Sequence, residues 1–88
     1  MIIEPSMFTL SCFKENVLGS RVCITWMDPQ GFINADLDEV ELAECRSEGV
    51  VAAIDSEMIV LRSALYTDSE TGDYTALPLG CLKKVEVL

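Results

Sequence analysis

Two apolar runs of strand length, Gly49–Ile54 and Met58–Thr67, meet across three polar residues, Asp55-Ser56-Glu57. Apolar runs this short, separated by a tight polar break, are the signature of an antiparallel hairpin. The same grammar recurs on both sides. Arg21–Met27 places Val22, Ile24 and Trp26 on one face with period two and is rich in β-branched and aromatic residues. Asp68-Ser69-Glu70-Thr71-Gly72 turns the second run back into a strand over Asp73–Leu77. Pro78 cannot donate to a ladder and closes that strand. Leu79-Gly80-Cys81-Leu82 is long enough for one tight helical turn, and Lys83–Leu88 forms a final strand with Val85 and Val87 on one face. The fold class is therefore all-β, and 88 residues leave room for a single domain, 1–88.

Three stretches are ambiguous. In Met1–Gly19, Phe8, Leu10, Phe13 and Val17 either lie along a short helix or cross the domain as irregular chain. Asp28-Pro29-Gln30-Gly31 has the residues of a type I turn ending the first strand, followed by a longer excursion from Phe32 to Asp38. Asp36–Gly49 reads as a helix capped by Asp36 and Glu39, or as strands in which Val40 and Leu42 alternate with Glu39 and Glu41. The strand reading is favoured because the apolar stripe of the helix would be thin, and it turns Arg46-Ser47-Glu48 into a hairpin loop. In Met58–Tyr66, period two sends Ile59, Leu61 and Leu65 to one side and Val60, Arg62 and Tyr66 to the other.

This order of elements resembles the SH3-like and Sm-like family of small β-barrels: a strongly bent hairpin, a second hairpin, a single 3₁₀ turn and a short last strand. The residues carrying the resemblance are Gly49-Val50-Val51, Asp55, Ile59-Val60-Leu61, Leu77-Pro78-Leu79 and Leu82–Val87. It implies a small five-stranded barrel with an irregular or short-helical N-terminal segment. It does not imply one function, because the architecture hosts peptide binders, RNA-binding rings and structural appendages. A polyproline groove would have to be built from Trp26, Tyr66 and Tyr74, and no Ala-Leu-Tyr-Asp-Tyr type motif occurs. An RNA-binding patch would draw on Arg62 and Lys83-Lys84.

Composition narrows the chemistry. The chain has no histidine, which removes mixed Cys/His zinc sites and histidine bases. Cys12, Cys23, Cys45 and Cys81 are irregularly spaced without a Cys-x-x-Cys pair, so buried free thiols are expected rather than zinc ligands. Gly-x-Gly-x-x-Gly and the phosphate-binding loop are absent, and Asp36, Asp38, Glu39, Glu41 and Glu44 lack the spacing that wraps calcium. The expectation is no catalytic site, no metal and no cofactor. No apolar run is long enough for a membrane-spanning helix and no signal-peptide pattern opens the chain, so a cytoplasmic protein without a membrane partner is expected.

The net charge of −9 is concentrated: Asp28–Asp73 carries twelve acids and two bases. Such a field repels nucleic-acid phosphates and favours basic partners. Half of the residues are hydrophobic, more than a domain this small can bury, so surplus apolar surface is expected at an interface with another protein or a second copy of the chain. The expected partner-binding residues are Phe32, exposed in the excursion, and the acids Asp38, Glu39, Glu41 and Glu44. Trp26 is expected in the core. The competing expectation is a nucleic-acid-related protein, either an Sm-like RNA binder or an acidic DNA mimic.

Overall fold

The computed structural model describes residues 1–65 and 71–88. The chain opens with a two-residue strand β1 (Ile2–Ile3), a 3₁₀ turn (Pro5–Met7) and a helix α1 (Leu10–Asn16). Strand β2 (Arg21–Asp28), a second 3₁₀ turn (Leu37–Glu39), β3 (Ala43–Ile54) and β4 (Met58–Leu65) follow. Then come β5 (Gly72–Pro78), a third 3₁₀ turn (Leu79–Cys81) and β6 (Leu82–Val87). The strands form one antiparallel sheet in the order β1-β6-β2-β3-β4-β5. The expected all-β class holds, but the five-stranded barrel does not: among the described residues the sheet has six strands and is open, with β1 and β5 at its edges. Two residues of β1 pair with β6, Ile2 opposite Glu86 and Ile3 opposite Val85, and so occupy one edge.

The core lies on one face of this sheet. Val22, Ile24, Val51, Ile59, Leu61, Leu77, Leu82 and Val85 point into it, joined by Ile3 and by Phe13 and Val17. The ambiguous N-terminal stretch thus contains a short helix, Leu10–Asn16, and the spacing of four brings Phe13 and the C-capping Val17 onto one side of it. Thr9 caps the helix, its Oγ1 accepting from the Cys12 amide at 3.1 Å, and the Phe8 ring lies tilted against Phe13 with centroids 5.1 Å apart. Trp26 packs partly buried against the same cluster and donates its Nε1–H to Ser47 Oγ at 2.9 Å.

The hairpin between β3 and β4 turns as read from the sequence. Asp55 Oδ1 accepts from the amides of Glu57 and Met58 at 2.8 and 2.9 Å, closing the loop with its own side chain. Asp36–Gly49 is extended rather than helical beyond the single 3₁₀ turn, but Arg46-Ser47-Glu48 is no hairpin loop. It runs through the middle of β3, paired with Thr25, Ile24 and Cys23. Residues 28–31 form no hydrogen-bonded turn either; the bend falls at Ile33-Asn34, where Asn34 takes a left-handed φ of 53°. Leu65, expected on the buried side, is half exposed because a bulge at Ser63 shifts the phase of β4 against β5 by one residue. The Asp68–Gly72 loop and Tyr66 fall largely outside the described residues. The four cysteines are free, as expected, but half-buried rather than buried.

Candidate functional site

From Pro29 to Leu42, between β2 and β3, fourteen consecutive residues are exposed. Hairpin loops usually take two to five residues, so this excursion is long for a connection and has the length of a functional loop. Its backbone bonds are local, Glu39 N–H to the Asp36 carbonyl and Val40 N–H to the Leu37 carbonyl. It carries a dense apolar load facing solvent: Ile33 is 91% and Leu37 87% exposed, with Phe32, Val40 and Leu42 at 42 to 57%. Interleaved with these are Asp36, Asp38, Glu39 and Glu41, and no cation lies between residues 29 and 42.

Of the residues singled out by sequence, Phe32, Asp38, Glu39 and Glu41 share this excursion. Glu44 does not. It lies in β3, and its Oε1 accepts a 2.8 Å hydrogen bond from Lys83 Nζ. That bond, then the lysine's charge, holds the Glu44 carboxyl below its ordinary pKa. Sequence reasoning found the acids and Phe32 but passed over Ile33 and Leu37, the two most exposed large apolar residues of the chain's described part. The signal was present in their placement inside a segment already assigned to a loop.

A second feature lies on the solvent face of the sheet. Lys84 on β6, Thr25 on β2 and Arg46 on β3 stand on one rung, Thr25 being directly opposite both others. Residues opposite one another share a face of the sheet. With Lys83, Glu44 and the N-terminal segment Glu4-Pro5-Ser6 they line an open cleft of about 750 Å³. Arg62 does not line this cleft; it sits on β4 opposite Val50 and Tyr74. Lys83 and Lys84 therefore gather with Arg46 and not with Arg62.

Among the described residues no group of His, Cys, Asp or Glu is placed to hold a metal ion, and no helix is long and apolar enough to cross a membrane. The structure thus defines a small, mainly β domain built on one open antiparallel sheet with a long exposed acidic and apolar excursion. Compared with protein-family models, with curated proteins and with solved structures, the chain matches none.

Proposed function

We propose that this chain is a non-enzymatic protein-binding module whose contact surface is the excursion Phe32–Leu42. The observation that carries the reading is the exposure of five large apolar side chains within eleven residues that also hold four acids. Apolar side chains held in water gain free energy on leaving it, about 25 cal/mol per Å² of apolar surface buried. Acids around them select a basic partner and exclude acidic ones. The partner is therefore a protein surface with an apolar centre and a basic rim. A second copy of this chain is the form of this proposal that concentration alone tests.

The test uses two sets of variants. Ile33→Ser with Leu37→Ser removes the apolar anchors, and Asp38→Asn with Glu39→Gln and Glu41→Gln removes the charge. Because these side chains are exposed, both sets should melt like the wild type. Proteins retained from a lysate of the source cells should be lost from both, and from wild type they should elute at rising salt. Glu44→Gln should retain them, since Glu44 is engaged by Lys83. Partners held equally by all versions would refute the proposal. Light scattering that shows 9.7 kDa at every concentration would remove self-association.

A further inference from the structure

We propose that the cleft between the N-terminal segment and the β6-β2-β3 face is an oxyanion-binding site, with Arg46 and Lys84 as its cationic floor and Thr25 as a hydroxyl donor. The chain has only six basic residues against fifteen acids, yet three of the six line this one cleft. Two of them, Arg46 and Lys84, form no ion pair among the described residues, although acids outnumber bases fifteen to six in the chain. They flank Thr25 on a single rung, so the two charges face the same volume.

The backbone is shaped to bring the third cation in. Neighbouring residues of a regular strand point to opposite faces, so Lys83 and Lys84 ought to diverge. They do not, because β6 bulges: Lys84 pairs with Thr25 and Leu82 with Trp26, leaving Lys83 as the extra residue. Bulges re-aim side chains in this way. Lys83 turns into the cleft and engages Glu44 at 2.8 Å, which neutralises the carboxylate that would otherwise repel an anion there.

An independent observation comes from Thr25. It is the only buried polar residue in the described part, 7% exposed; it lines the cleft, and its hydroxyl makes no hydrogen bond among the described residues. No buried side-chain oxygen or nitrogen among the described residues lacks a partner, so this hydroxyl reaches the open cleft, where it is free to donate to a ligand. Guanidinium, ammonium and hydroxyl together match the oxygens of a phosphate or a carboxylate. The volume suits a small molecule, about 300 to 1,000 Å³ being usual for such sites. Glu4, on the opposite wall, limits affinity by like-charge repulsion. This site is separate from the excursion, and its test does not depend on the protein-binding proposal.

The experiment titrates the ¹⁵N-labelled protein with inorganic phosphate and, separately, with succinate, against chloride at matched ionic strength. Saturable shifts are expected at the amides of Ser6, Thr25, Arg46, Lys83 and Lys84, with a dissociation constant on the order of 1 mM. Saturation by phosphate, by succinate or by both supports the site, and the anion that binds identifies which oxyanion it takes. Arg46→Gln and Lys84→Gln should each weaken binding by about five-fold, as for exposed charge pairs, and Glu4→Gln should tighten it. Dispersed spectra of each variant will show that it is folded, and Glu4→Gln tests the charge logic by a gain rather than a loss. Shifts that chloride reproduces, saturation by neither anion, or an affinity indifferent to all three substitutions would overturn the proposal.

Discussion

Gly49 sits where β3 passes from its pairing with β2 to its pairing with β4, opposite Val22 and one residue before Val50, which pairs with both Arg21 and Arg62. A methyl group there would lie 2.9 Å from the Arg62 carbonyl oxygen, 3.3 Å from its carbon and 3.3 Å from Leu61 Cβ. Two of those three atoms are backbone, so no rotamer change relieves the contact; β3 and β4 must separate. Gly49→Ala should therefore destabilise by about 1–3 kcal/mol, the usual range for overpacking. That outweighs the ~0.4–1 kcal/mol that Gly→Ala contributes through the unfolded chain. For a domain of this size the melting temperature should fall by roughly 4–8 °C per kcal/mol. Gly31→Ala and Gly80→Ala provide the control, since nothing lies within 4 Å of either added carbon and neither residue has positive φ. Thermal melts of the three variants should show Gly49→Ala well below wild type and the other two at or slightly above it. Three variants melting together, or Gly49→Ala melting higher than wild type, would refute the account of this close approach.

The parts of this fold legible in sequence are those where strong residues alternate. Val22, Ile24 and Trp26 announced β2, and the run to Ile54, the Asp55 turn and Ile59-Val60-Leu61 announced the central hairpin. The first half of β3 was misread for a physical reason. Its inward residues, Cys45, Ser47 and Gly49, are small or polar, while its outward residues are Glu44, Arg46 and Glu48, so the strand has the composition of a turn. Small residues are required there because Trp26 lies opposite Cys45, with its indole on Ser47, and because β4 closes over Gly49. Strand β1 has two residues and hence no period. The bulges at Lys83 and Ser63 leave no mark on a periodic pattern, and without them neither the exposure of Leu65 nor the convergence of Lys83 and Lys84 follows. Of the candidate site, the acids and Phe32 were readable as one loop. The cleft was not, because its residues come from four separated segments.

Phe13 is 1% exposed at the centre of the core, and Phe13→Ala should cost about 3–5 kcal/mol, measured by urea denaturation; a smaller loss would mean that the helix is peripheral. Trp26→Phe keeps the ring contact but removes the hydrogen bond to Ser47, for an expected loss of about 0.5–1.5 kcal/mol that Ser47→Ala should share without adding to it. The last prediction concerns pH and joins the two halves of the cleft. The hydrogen bond and charge of Lys83 depress the pKa of Glu44 from an ordinary 4.5. A depressed carboxyl stabilises the fold above its unfolded pKa, and that contribution fades as pH falls through the lower folded value. Lys83→Gln should thus return the Glu44 midpoint, followed by carbon NMR, towards its ordinary value. It should also lower the melting temperature at neutral pH but not at about pH 2, where the carboxyl is protonated in both proteins. The same substitution frees a carboxylate beside Arg46 and Lys84 while removing a cation, so it should weaken phosphate binding at neutral pH more than Lys84→Gln does. An unmoved Glu44 midpoint, or a stability difference that persists undiminished in acid, would show that Lys83 neither tunes this carboxyl nor shields the cleft from it.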